Sequence, residues 1–189
     1  MVSFLKPEVL QNYIKQMDDL VTTMLLKETQ NKDTIETVLF MKKLAFNIAF
    51  KILFGIQDEF TRDAFFDDFS IAFKAVWSLP LNFPGTIYWH GKRARSRIIR
   101  RILPIMKRKK EDLLMGILSP TSDIISALLA LEAENGEMIN KQVILDNFVI
   151  LTIAGHDTSA ILMSMMVWKL SRDPEIYQKV LKGNTFFSN

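Results

Sequence analysis

With 189 residues, 49% of them hydrophobic, the chain is long enough for one domain with a sizeable core. Seven glycines and six prolines are too few for a sandwich or barrel of tight turns, and the wealth of Leu, Lys, Met, Ala and Glu points to an all-α fold. The absence of Cys excludes disulfides, thiolate metal sites and cysteine nucleophiles, and the formal charge of +3 hides a strongly basic run between Lys92 and Lys110. Met1 to Lys6 is too short for a secretory signal before Pro7 and Glu8.

Pro7 suits the first turn of a helix expected at about 7–28, with Leu10, Ile14, Met17, Val21, Met24 and Leu25 on one apolar face. A polar turn at 31–34 leads to a second helix at about 36–54. Phe40, Leu44, Ile48 and Ile52 mark its buried side, and Gly55 stops it. A third helix, at about 60–77, carries the stripe Phe65, Phe69, Phe73 and Trp77. Such a stripe is either core packing or the wall of an apolar ligand cavity.

Residues 79–91 break the helical pattern with Pro80, Pro84, Gly85 and Gly91, while Phe83, Ile87, Tyr88 and Trp89 keep it apolar. A basic helix is expected at about 92–115, with Ile98, Ile102 and Ile105 on its apolar side and Pro104 kinking or breaking it. Residues 92–110 hold ten Lys or Arg and no acid, which leaves the remainder of the chain at −7. An aromatic loop ahead of a basic helix is the composition of a segment lying on an anionic membrane surface; the alternative is a packed loop and a solvated basic face. Nucleic acid is not the expected partner, because the acidic remainder repels phosphate and the aromatics precede the basic run instead of interleaving with it.

A loop and cap at 119–123, a short helix at about 124–133 and an Asn135-Gly136 turn lead to a long apolar helix at about 141–170. A last helix is capped by Asp173, opened by Pro174 and ended by Gly183. Residues 147–168 are long enough to cross a membrane. Their midpoint holds His156 and Asp157, however, and Asp there costs about 2.5–3.5 kcal/mol, so a buried core helix is expected.

The informative site is Ala154-Gly155-His156-Asp157-Thr158-Ser159, midway along that helix. Five successive poor helix formers cost about 3 kcal/mol relative to Ala, and burying an acid adds more. Thr158 can turn its hydroxyl back to the Ala154 carbonyl and loosen the helix. Gly155 allows a flat or diatomic ligand close to the backbone. Asp157 can feed a proton relay, with its acidity tuned by burial. The alternative is a polar seam satisfied by neighbouring helices.

The hexad resembles the oxygen-activation motif of the cytochrome P-450 family, Ala/Gly-Gly-x-Asp/Glu-Thr-Thr/Ser. Leu79-Pro-Leu-Asn-Phe-Pro-Gly-Thr86 with Lys92-Arg-Ala-Arg95, Asp173-Pro-Glu175 and Ser3-Phe-Leu-Lys-Pro7 are similar to the segments around it in plant members that oxidise triterpenoids, sterols and taxanes, beta-amyrin 28-oxidase-like enzymes among them. The resemblance implies the central helical part of that fold. It assigns Asp157 and Thr158 as the catalytic acid–alcohol pair and Ala154 and Gly155 as the dioxygen groove beside haem. It further implies an apolar substrate, an NADPH-dependent flavoprotein reductase as electron donor, and the cytosolic face of the endoplasmic reticulum membrane.

Three departures qualify it. No Cys is present to ligate haem, no Glu-x-x-Arg pair follows Asp173, and 183–189 no longer resemble the family. The expected unit is therefore a partial domain over 1–182 with an unrelated tail at 183–189, lacking the haem-ligand region and most of the sheet, and inactive alone. No protein metal site is expected, since His90 and His156 are the sole histidines and neither has a ligand partner at helical spacing. No dinucleotide fingerprint or nucleophile elbow is present. The competing reading is a non-catalytic helical protein that binds membranes or partners through its basic helix.

Overall fold

The computed structural model describes residues 7–135 and 141–187. They form seven α-helices, with no strand among them: α1 (Pro7–Thr29), α2 (Thr37–Ile48), α3 (Glu59–Val76), α4 (Ile87–Leu114), α5 (Ile124–Asn135), α6 (Lys141–Arg172) and α7 (Pro174–Phe187). The all-α expectation holds. The principal pairings are α3 with α4 and α2 with α6, while α5 docks on α4 and α1 on α2. Gly136 of the expected turn lies outside the described residues.

The core starts from a local widening of α2. That helix continues into a π-helical turn, Ala49–Leu53, in which the Phe54 N–H donates to the Ala49 carbonyl and the Ile56 N–H to the Phe50 carbonyl. Gly55 then leaves in a left-handed conformation, φ +63°, which glycine adopts at no steric cost. A wider turn shifts the register of the side chains on it. Phe50 here stacks on Phe46 at 4.0 Å and meets Phe54, Phe65, Phe69 and Phe148 edge-on or tilted at 5.2–5.9 Å. Each such pair adds about 0.5–1.5 kcal/mol beyond area burial. The stripe expected on this helix was Phe40, Leu44, Ile48 and Ile52. The Phe46, Phe50 and Phe54 row lies beside it, so α2 is buried on two sides.

The other elements also correct the sequence pattern in detail. Among the described side chains of α1 Leu20 is buried, while Ile14 and Leu25 of the expected face are exposed. On α3 the stripe enters the core at Phe65 and Phe69 but ends at Phe73, since Trp77 is 87% exposed. α4 begins five residues earlier than expected because Thr86 caps it, accepting the Trp89 N–H at 3.2 Å. Gly91 is not a breaker. A methyl group there would lie 2.0 Å from the Ala75 Cβ, so its bare backbone is what lets α3 and α4 cross. Pro104 does not interrupt α4. α7 runs through Gly183 to Phe187 and is capped, as expected, by Asp173, which accepts the Ile176 N–H at 3.2 Å.

The basic run is largely consumed by the fold. Asp68, nearly buried, receives Arg97 at 2.5 Å and Arg101 at 3.2 Å. Lys109 reaches the buried Asp123 at 2.5 Å, and Asp123 also caps α5 through the Ser126 N–H. Arg93 lies 3.9 Å over the Trp89 ring. Arg95 pairs with Asp146, Lys107 with Glu111 and Arg108 with Asp112. Acids thus answer six of the ten charges that sequence alone left without partners, and an aromatic ring covers a seventh.

α6 is long and apolar enough to cross a membrane by length and composition. It is not buried all round as expected. Its first half buries one face, with Ile144, Leu145, Phe148, Thr152, His156 and Ala160 inward, whereas Ile161, Leu162, Met165, Met166 and Trp168 are exposed.

Candidate functional site

The hexad sits where α6 changes from a packed helix to an exposed one. Successive residues turn by about 100°, so the six side chains point in three directions. His156 points inward, Asp157 sideways toward α2, and Ala154, Gly155, Thr158 and Ser159 outward to an exposed face. The helix stays α-helical through all six, so the expected loosening does not occur. The expected Thr158 bond does occur: its hydroxyl donates to the Ala154 carbonyl at 2.6 Å.

Nothing lies within 4 Å of a Cβ built on Gly155. The Ala154–Thr158 face is therefore an open shelf of backbone, with one hydroxyl at its edge and the exposed apolar side chains of Ile161 and Leu162 beyond. Asp157 is 33% exposed rather than buried, and its carboxylate meets the Lys42 ammonium of α2 at 2.8 Å. The structure thus brings Ala154, Gly155 and Thr158 to one face and sets Asp157 at its flank. Lys42 was not legible in the sequence, since nothing local links two residues on different helices.

His156 anchors the hexad in the core. Its ring is 5.6–6.0 Å from Phe46, Phe66 and Phe73, and its Nε2 has no hydrogen-bond partner among the described residues. Burial lowers its pKa below the ordinary 6.5; Asp157 opposes the shift and Lys42 reinforces it. A sequence signal for this role exists, because Phe148, Thr152, His156 and Ala160 recur every four residues.

A family model for cytochrome P450 matches residues 1–183, and the chain belongs to that family. It is similar to cytochrome P450 716A75 of Maesa lanceolata, at 34% identity over 95% of this chain and 37% of that protein. Beta-amyrin 28-monooxygenase of Medicago truncatula is 33% identical over 94% of this chain and 37% of its own length. Taxane 10-beta-hydroxylase of Taxus cuspidata is 30% identical over 95% and 36%. The chain spans little more than a third of the length of these curated relatives.

The family implies haem, and the residues present fit one side of it. The shelf at Gly155 is open to a flat apolar group, and a side chain there would fill the space. The iron is not provided for: there is no Cys in the chain, and among the described residues no three His, Asp or Glu side chains could hold a metal. These residues could offer a wall for the group, and they offer no thiolate.

Buried His156 gives the fold a pH dependence of defined sign. Above about pH 6.5 the imidazole is neutral in both folded and unfolded chains and adds none. Below it, the unfolded chain takes a proton that the folded chain refuses, so stability falls as pH drops, by at most about 1.4 kcal/mol per pH unit. Urea unfolding at about pH 7.5 and about pH 5.0 should show a drop in wild type that His156→Phe reduces. An identical drop in the variant would contradict the assignment.

Proposed function

We propose that residues 1–182 form the oxygen-side wall of a haem-thiolate monooxygenase acting on an apolar triterpenoid or sterol, with 183–189 outside that unit. The observation that carries the reading is the open Gly155 backbone sharing one face of α6 with the Thr158 hydroxyl, with Asp157 at its flank. Haem would supply the oxygen-activating redox chemistry when bound, with Ala154 and Gly155 as the residues of this chain that would lie against it.

Ala154 and Gly155 form the cofactor-side surface, where a missing side chain admits a diatomic molecule against the backbone. Thr158 keeps its hydroxyl proton on the Ala154 carbonyl and can rotate to offer it outward. Asp157, held by Lys42 and partly open to water, passes protons between solvent and that hydroxyl. The exposed apolar side chains past Ser159 exclude water from the same face. Electrons come from an NADPH-dependent flavoprotein reductase. With no Cys, the 189-residue chain is inactive alone. The beta-amyrin and taxane enzymes it resembles support the substrate class.

A hybrid tests this reading: residues 1–182 replace the matching segment of the Medicago truncatula enzyme. The reduced hybrid under carbon monoxide should give a thiolate-type absorption band, and the 189-residue chain alone should not. In the hybrid, Thr158→Ala should lower product formed per electron pair at least about tenfold while leaving that band in place, as expected for loss of a positioned proton donor. Unchanged product yield in Thr158→Ala would remove Thr158 from the reaction.

The same unit lies against the endoplasmic reticulum membrane on its cytosolic side in this proposal. Trp77, Leu79, Leu81, Phe83 and Ile87 all expose their side chains on the α3–α4 connection, immediately before the basic face of α4. Lys92 and Arg100 make no ion pair among the described residues. Each basic group near an anionic surface adds about 1 kcal/mol. Because most of the basic run is paired within the fold, the apolar loop carries much of the attachment. In liposome sedimentation, Trp77→Ser/Phe83→Ser should release most of the protein from anionic vesicles, and rising salt should weaken the remainder. Equal binding to neutral vesicles by wild type and variant would show that other exposed apolar surface drives it.

A further inference from the structure

Where α1, α2 and α3 meet, each turns one helical face toward a cavity of about 160 Å³. No residue of α6 lines it, so it stands apart from the hexad and the proposed oxygen-side wall. Its most buried cation is Arg62, only 5% exposed. Part of that guanidinium is held by the fold: Nε donates to Asn47 Oδ1 at 2.6 Å, and Nη1 donates to the Ile56 and Gln57 carbonyls. The two N–H groups on Nη2 have no hydrogen-bond partner among the described residues, and Arg62 makes no ion pair there. A buried charge is ordinarily paired, so a guanidinium with free donors and no carboxylate on it calls for an anion.

We propose that this cavity binds a short aliphatic monocarboxylate, its carboxylate on Arg62 Nη2 and the Lys43 ammonium and its hydrocarbon against Leu20, Met24 and Phe40. The size selects a ligand of few heavy atoms, since sites for drug-sized molecules run to roughly 300–1,000 Å³. The charges around the cavity select the sign. Lys27 is already paired with Glu59 at 2.6 Å, and Glu28 with Lys32 at 2.5 Å. Lys43 is exposed and meets only the Phe66 ring, at 6.0 Å, and Asp63 is exposed with no ion pair among the described residues. Two cations, one of them buried, therefore stand against one solvated carboxylate. An anion gains charge-assisted hydrogen bonds there, whereas an amine finds only Asp63 at the surface, where pairing contributes little. The three acids on the lining oppose a second negative charge, which favours a monoanion over a dianion.

The test is an NMR titration of the amide resonances of the full chain, at fixed ionic strength, with butanoate, acetate, butanol and butylammonium. Butanoate should saturate a single site and move the amides around Lys43 and Arg62. Acetate should bind there about tenfold more weakly, having lost two methylenes from the apolar wall. Butanol and butylammonium should leave those amides in place at the same concentrations. Lys43→Gln should weaken butanoate about fivefold, the loss of one partly solvated charge. Arg62→Gln should abolish binding. That variant also releases two backbone carbonyls, so circular dichroism accompanies it. Lys43 is exposed and makes no ion pair among the described residues, so Lys43→Gln decides even if Arg62→Gln fails to fold. Butanoate binding with unchanged strength to Lys43→Gln, or butanol moving the same amides as strongly as butanoate, would overturn the proposal.

Discussion

Phe50 stands where α2, α3 and α6 meet, and its five aromatic neighbours come from all three. The π-helical turn puts it there. A regular α-helix would carry Phe46, Phe50 and Phe54 along one row but would not release the chain at Gly55 in the same register, since the wider turn holds an extra residue. Packing of this density is intolerant of displacement, because interiors are close-packed and lose dispersion contacts when a ring moves by a fraction of an ångström. The rotation of α6 about its own axis is thereby fixed.

That rotation decides what the hexad presents. With Phe148, Thr152, His156 and Ala160 turned into the aromatic cluster, Ala154 and Thr158 must face the other way. A histidine suits the inward position. Its ring packs edge-on to phenylalanines, and its neutral form is the one that burial favours. An exposed shelf of small residues on an otherwise apolar helix is costly in isolation, and the buried side of the same turn offsets that cost. The ion pair between Lys42 and Asp157 ties the flank of the shelf to α2 by a second contact.

What the sequence made legible was local. The Thr158 bond to Ala154 spans four residues and follows from helix geometry, as do the caps at Asp123 and Asp173. The hexad was legible as a break in pattern, and the all-α class as composition. Contacts between distant segments were not. Gly91 looked like a loop residue because its reason for being glycine, the Ala75 methyl, lies on another helix. Ten basic residues looked like a surface for anions because Asp68, Asp123 and Asp146 are remote in sequence. Trp77 continued an aromatic stripe by spacing, yet the helix ends before it can pack. The aromatic partners of His156 belong to α2 and α3.

The account rests on the aromatic cluster holding α6 in one orientation, and amide hydrogen exchange on the full chain measures that directly. In wild type, amides at 144–160 should be strongly protected and those beyond Ile161 less so, since only the first half of α6 is packed. Phe50→Ala, a substitution of the kind that costs about 3–5 kcal/mol in a core, should strip protection from 144–160 and from 46–54 together. Full retention of protection at 144–160 in that variant would contradict the account, for it would mean that something other than the phenylalanine cluster fixes the helix and its shelf.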